Sequence, residues 1–429
     1  MKRSLLLITI LTVFGFSSNA QSSKCATMDN WERLKAKDAN TEIRRQQLEI
    51  LTQEWIGNNA GTQKKAVVTI PVVVHVLYNA SAENVSDAQI NSQITVLNED
   101  FRLMNADSLL PTHPYWTNAA DCEIQFCLAT QDPTGNATSG ITRTYTDSIS
   151  FVGIGNEKLS QYGGVDNWDP TKYLNLWVCN MDASGGTLGY AAFPSDLSSE
   201  PEMDGVVIDY KYFGTLGTTV SPNDLGRTGT HEVGHWLNLN HIWGDDCGPN
   251  CSVAGSSCSG SDNVGDTPNQ ECCNFGCPSF PLVTCSNGPN GDMYMNYMDY
   301  VDDACMVMFT SGQKDRMNAA LSLERSGILT SVGCTAVGLD DLGNPISDIR
   351  IYPNPSNGNF YIEVKVNKVI DIRIQVTNIL GEIVLEGHNK NISSTNKFQI
   401  DLIDEANGIY FVTVETGDYK VNRKLIVNE

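Results

Sequence analysis

Positive charge is in short supply. The chain has 28 lysines and arginines against 50 aspartates and glutamates, a net charge of −22 over 429 residues. This deficit excludes electrostatic binding to nucleic acid or to an anionic lipid surface, since either would be repelled. Long apolar runs are also lacking. Beyond the N-terminal run Leu5–Phe16, which is itself too short, no stretch approaches the ~20 residues that cross a bilayer, so no membrane span is expected. Histidine is scarcer still, with six in the whole chain, yet three of them fall within "THEVGHWLNLNHIWG", Thr230–Gly244.

What is present begins with an export signal. "MKRSLLLITILTVFGFSSNAQ" places Lys2 and Arg3 before the apolar run and the small residues Ser18 and Ala20 after it. Residues 1–20 therefore read as a secretory signal peptide, and the protein is expected to be secreted or held at the cell surface, with the periplasm crossed in transit. "QSSKC" lacks the residues expected before a lipid-modified cysteine. Thirteen cysteines in an exported chain point to disulfides. Seven of them, from Cys247 to Cys285, crowd a Gly/Asn/Ser/Asp-rich segment with too little apolar residue to hold itself together. Cross-links would do so, with a structural zinc site as the alternative. The twelve from Cys122 to Cys334 form an even set that can close within one domain, leaving Cys25 over.

Residues 21–65 are polar, with a helix expected over about Asn40–Trp55, and read as a detachable prosegment ending in "GNNAGTQKK". "AVVTIPVVVHVLY" (Ala66–Tyr78) reads as a buried strand. Ile90, Ile94, Leu97 and Phe101 recur at helical spacing behind Ser86 as a cap. Strand-like runs follow at "CEIQFCLA", "YLNLWVCNM" and "DGVVIDY", so residues 66–336 form a mixed α/β domain. The histidine-bearing helix is expected to begin near Ser221, with Pro222 in its first turn and Leu225, Val233, Trp236 and Leu237 as its buried stripe. Residues 337–347 read as a linker. Residues 348–429 contain no cysteine, alternate apolar and polar positions, and read as a small all-β sandwich.

Residues four apart share a helix face, so His231 and His235 can aim at one point, with Glu232 beside it. On a continuing helix His241 would lie roughly 240° away, so the helix must stop first. Asn238 stands where the left-handed turn is needed. Three neutral imidazoles with an open fourth position are the donor set of a catalytic zinc site, and Glu232 is placed as the general base of a hydrolase.

H-E-x-x-H-x-x-N-x-x-H, followed by "NYMDY" (Asn296–Tyr300), resembles the metzincins and in particular the pappalysin family of metalloendopeptidases. The resemblance covers about Thr69–Met317. It implies a metzincin-like catalytic domain with a mixed sheet, an active-site helix and an irregular disulfide-rich lower half, acting on proteins or peptides. It makes Met298 the residue of a methionine turn beneath the metal, puts Tyr300 near the reacting carbonyl, and makes "GYAAFP" (Gly189–Pro194) the substrate-lining edge. Calcium is common in the family, and Asp262 and Asp266 are the candidate ligands here. Asn238 departs from the family's usual glycine. Cys25 is a candidate fourth zinc ligand in a latent zymogen, and Asp302 with Asp303 would favour Arg or Lys after the scissile bond. The C-terminal "YPNPSNGNFYIEV…KLIV" resembles a type IX secretion sorting domain, which makes that machinery a partner. The rival reading is a surface adhesin on an inactive protease-like scaffold.

Overall fold

The computed structural model describes residues 24–59, 67–181, 186–245, 247, 251, 258–335, 346–366, 368–417 and 419–428. The expected signal peptide, most of the "GNNAGTQKK" exit and nearly all of the expected linker lie outside them. The chain divides into two units, residues 1–336 and 337–429.

In the first unit two helices, α1 (Thr27–Lys37) and α2 (Thr41–Asn59), precede β1 (Val68–Tyr78). The sequence reading had anticipated only the second, because α1 carries its apolar residues too sparsely to announce itself. Helix α3 (Asp87–Phe101) follows, with the Ser86 hydroxyl accepting the Gln89 N–H as N-cap. Then come β2 (Ile124–Leu128), β3 (Ile141–Tyr145), β4 (Leu174–Cys179), β5 (Gly189–Ala191) and β6 (Val206–Asp209). They build one sheet in the order β2-β1-β4-β6-β5, with β3 pairing a further part of β1. All pairings are parallel except that of β5 with β6, which leaves a short antiparallel edge. Continuous burial along β1 and β4 explains their unbroken apolar runs, since both sheet faces are covered.

Helix α4 spans Arg227–Trp236, and α5 spans Ser311–Leu323 behind a Thr310–Gln313 capping box. The expected start of α4 near Ser221 is not observed. Gly226 takes φ 78°, which interrupts any helix upstream, and the Asp303 carboxylate accepts the N–H groups of Leu225 and Arg227. Leu225 is correspondingly 37 % exposed and is not part of the buried stripe, whereas Val233, Trp236 and Leu237 are buried.

Five disulfides join Cys127–Cys334, Cys247–Cys272, Cys251–Cys273, Cys258–Cys285 and Cys277–Cys305. All seven crowded cysteines are thus cross-linked rather than ligands of a structural zinc. The expectation that twelve cysteines would pair fails at Cys122 and Cys179, which remain free thiols. Cys122 is buried in the main core and Cys179 in a separate apolar cluster with Phe151, Trp177 and Tyr190, so neither finds the other.

The second unit contains β7 (Ile346–Tyr352), β8 (Asn359–Val366), β9 (Ile370–Asn378), β10 (Ile383–Ile392), β11 (Thr395–Asp401), β12 (Gly408–Thr416) and β13 (Tyr419–Val427). Two antiparallel sheets, β10-β9-β12-β13 and β11-β8-β7, enclose a core of Phe360, Ile362, Val364, Val376, Val412 and Val414. It is an all-β sandwich. Strand β7 takes the last two residues of the segment read as linker.

Candidate active site

Helix α4 carries His231 and His235 one turn apart, and its last turn closes with Asn238 N–H on the His235 carbonyl (2.8 Å) and Leu239 N–H on that of Gly234 (2.9 Å). Asn238 adopts φ 73°, a left-handed conformation that asparagine tolerates better than most residues. The chain then reverses and returns His241. The three Nε2 atoms lie 3.1 Å (His231–His235), 3.0 Å (His235–His241) and 3.3 Å (His231–His241) apart.

The far side of each ring fixes its tautomer. His231 Nδ1 lies 2.7 Å from the Tyr297 carbonyl, His235 Nδ1 lies 2.8 Å from that of Leu239, and His241 Nδ1 lies 2.5 Å from Asp245 Oδ1. A carbonyl or carboxylate can only accept, so each Nδ1 holds the proton and each Nε2 presents a lone pair. Burial favours the neutral form of two of the rings, pushing His231 down to about 3 and His235 well below the usual range. Three converging lone pairs repel unless a cation stands among them. Nitrogens about 2.0–2.1 Å from a tetrahedral zinc are about 3.3 Å apart, so the donor set fits that ion.

Cys25 completes the group. Its Sγ and one nitrogen of each imidazole lie within 4.8 Å of one another. The segment bearing it is held as an added strand on β5, with Leu188 N–H on the Lys24 carbonyl (2.8 Å) and Ala26 N–H on the Gly189 carbonyl (3.0 Å). Glu232 Oε2 accepts from the Thr27 hydroxyl (2.9 Å) and the Cys25 thiol (3.4 Å), and burial pushes its carboxyl up to about 8. Gly189 is required here, since a Cβ would stand 3.1 Å from Glu232 Cγ and 2.8 Å from the Val207 carbonyl.

Met298 is fully buried beneath the helix. Its backbone carbonyl accepts the Ile242 N–H (3.2 Å), and its sulfur would lie 2.5 Å from a Cβ on Gly234. The Tyr300 ring stands 5.0 Å from His241 and 5.7 Å from His231, with its hydroxyl 3.4 Å from the Cys25 carbonyl. Trp243 stacks flat on His241 at 4.3 Å.

The remaining sequence candidates do not behave alike. Lys24 Nζ donates to Asn223 Oδ1 (3.1 Å), the Val301 carbonyl (3.3 Å) and Asp302 Oδ1 (3.4 Å), so Asp302 borders a cation-holding recess. Asp303 instead holds the start of α4. Asp262 accepts from Thr267 Oγ1 (2.8 Å) and Val264 N–H (3.1 Å), while Asp266 accepts from Thr310 Oγ1 (2.7 Å) and Gly312 N–H (2.9 Å) at the start of α5. Sequence reasoning missed Thr27, Asp245 and Trp243, which act on the site through folding, and it placed Gly189 on the substrate-lining edge without its packing against Glu232. It also passed over Gly234, although that residue sits inside the motif.

Residues 160–322 match the family model described as pregnancy-associated plasma protein-A, the peptidase M43 or pappalysin family, and residues 350–428 match that of a secretion system C-terminal sorting domain. An extracellular metalloprotease of Pyricularia oryzae is 31% identical over 327 residues, 75% of this chain and 99% of that protein. The chain belongs to the pappalysin family. Among solved structures, Tannerella forsythia mature mirolysin in complex with a cleaved peptide is 50% identical, with 66% of this pappalysin and all of that chain covered at a TM-score of 0.58. A promirolysin mutant of the same organism is 44% identical, with 75% and 100% covered at a TM-score of 0.62. Within the described residues no helix of this pappalysin is long and apolar enough to cross a membrane.

Proposed function

We propose that the protein is an exported zinc endopeptidase, made as a latent precursor and sorted by its C-terminal sandwich. Convergence of three Nε2 lone pairs on one point beside a carboxylate is the observation that carries this reading. His231, His235 and His241 would hold zinc, which when bound supplies Lewis acidity toward the scissile carbonyl and an attacking water.

The chain's own groups do the rest. Glu232 takes the proton of the attacking water and delivers it to the leaving amine. In the closed precursor burial raises its affinity for protons, and departure of Cys25 and Thr27 would free it to serve first as base and then as acid. The Tyr300 hydroxyl, near the two ring ligands, donates to the oxygen on which negative charge develops. Met298 holds the floor beneath α4, and Asp245 orients His241.

Latency follows from occupancy. In the closed state Cys25 stands among the three imidazoles and Thr27 engages the base, so water and substrate are excluded together. Bidentate hydrogen bonds from Arg316 to Glu49 support the closure from α2. Lys24 resting near Asp302 supports a preference for Arg or Lys after the scissile bond. An adhesin on an inactive scaffold needs no such base, and nothing in the site favours it. Calcium is not built into this proposal, because Asp262 and Asp266 serve separate internal hydrogen bonds.

Glu232→Gln tests the mechanism. Zinc should remain bound at one equivalent per chain while peptide hydrolysis by the processed enzyme is lost. Retained hydrolysis with full zinc would remove Glu232 from its role.

A further inference from the structure

Beyond Lys24, α2 of the prosegment sends a second cation into the catalytic domain. The Arg45 guanidinium lies 3.6 Å over the Phe193 ring, and its Nη2 donates to Asn240 Oδ1 at 2.7 Å. Its Nη1 is buried with no hydrogen-bond partner among the described residues, as is Oδ2 of Asp196, a residue only 3 % exposed. The negative charges of Asp245 and Asp196 both act on Arg45. Helix α2 packs directly on the turn Pro194–Asp196.

The pocket adjoins the metal-ligand cluster. Phe193 packs edge-on against His235 at 5.6 Å, and Asn240 precedes His241 in the chain. Along the edge of the sheet, Lys24 pairs at Leu188, Cys25 at Gly189 and Thr27 at Ala191, with Phe193 two residues further on. The two cations therefore flank Cys25, one toward each end of the cleft. Without Arg45 the walls keep an aromatic face, an amide oxygen and a carboxylate with an unpartnered oxygen.

We propose that Phe193, Asp196 and Asn240 form a second basic-residue subsite in the processed enzyme, reading an Arg or Lys before the scissile bond, and that Arg45 fills it in the precursor. The inference rests on the reading of the chain as an endopeptidase whose prosegment is removed. Guanidinium suits the pocket better than ammonium does, because its flat face covers the ring while its edge reaches Asn240, and Asp196, beyond hydrogen-bond distance, adds only its negative charge. The ligand class is an extended peptide with a cationic side chain on the side of the bond opposite the Lys24 recess.

The test uses the zinc-loaded full chain after cleavage of its prosegment, and peptide pairs differing only by arginine or uncharged citrulline at each of three positions before the cleaved bond. At one position kcat/KM should favour arginine by about 10- to 100-fold. That ratio should fall toward one in Asp196→Asn and in Asn240→Ala, with thermal unfolding showing that each variant is folded. The same pairs titrated calorimetrically onto the processed Glu232→Gln protein should show the same preference in Kd. A ratio near one at every position in both assays overturns the subsite, as does an arginine preference that survives both substitutions. If no peptide is cleaved but arginine still binds preferentially, the endopeptidase reading fails and the pocket stands. If Arg45→Gln weakens only the prosegment and no peptide discriminates, the pocket serves the prosegment alone and the proposal is overturned.

Discussion

Gly234→Ala probes the contact between the histidine helix and the methionine beneath it. A Cβ at this position would stand 2.5 Å from Met298 Sδ, 3.4 Å from Met298 Cε and 3.5 Å from Leu239 Cδ1. Sulfur and carbon need roughly 3.5–4 Å, so the thioether must retreat by about 1 Å into a core where Met298 is fully buried. Overpacking of this kind costs about 1–3 kcal/mol, partly offset by the ~1 kcal/mol that alanine gains over glycine inside a helix. The net expectation is a loss of about 0–2 kcal/mol, together with weakened zinc retention. Met298→Ala alone should cost about 2–5 kcal/mol through the cavity it leaves. In that background the clash is gone, and adding Gly234→Ala should stabilise by about 1 kcal/mol. The cycle therefore predicts a change of sign, with a coupling of about 1–3 kcal/mol. Urea unfolding followed by tryptophan fluorescence reads the catalytic unit selectively, since all seven tryptophans lie between Trp31 and Trp243. Equal effects of Gly234→Ala in both backgrounds, within about 0.5 kcal/mol, would refute the contact as the reason for glycine.

Cys25→Ala should release activity from the unprocessed chain before any cleavage, and equal latency in both forms would dismiss the thiol as a switch. Glu49→Gln removes the charge from a bidentate pair whose Arg316 is nearly inaccessible, so the separated prosegment should inhibit the processed enzyme about 10- to 100-fold less well; an unchanged inhibition constant would count against this anchor. Burial pushes Asp262 up to about 7, above its unfolded value, so its contribution to stability is full below about pH 4 and is lost as the pH rises to 7. Asp262→Asn should flatten that slope by up to about 4 kcal/mol at 1.36 kcal/mol per pH unit, whereas calcium that restores wild-type stability at pH 8 and not that of the variant would return Asp262 to the list of cation ligands. Deleting residues after Asp341 should leave a folded protease that the native host fails to release, and a purified truncation without activity would place the sandwich within the catalytic unit.

Much of the site was legible in sequence because its chemistry is local. The spacing of His231, Glu232 and His235 is set by helix geometry, and the need to stop before His241 follows from the same arithmetic, which Asn238 meets at φ 73°. The alternation in residues 348–429 likewise encodes strands whatever their partners, because a period of two admits little else. Disulfide cross-linking of the crowded cysteines was legible from their number and clustering in a segment poor in apolar residues.

Tertiary structure decided what depends on residues far apart in the chain. Helix α4 starts at Arg227 rather than Ser221 because Asp303, 76 residues on, accepts its N-terminal N–H group. Cys122 and Cys179 stay reduced because the fold buries them in different clusters, a separation no count of cysteines reveals. The Tyr297 carbonyl that fixes the His231 tautomer, the Thr27 hydroxyl on Glu232 and the pocket around Arg45 all join segments more than sixty residues apart. Sequence determines which donor and acid–base groups are available at the site. The packing of distant backbone decides which lone pair faces inward, which carboxyl group is buried and which cation rests beside the cleft.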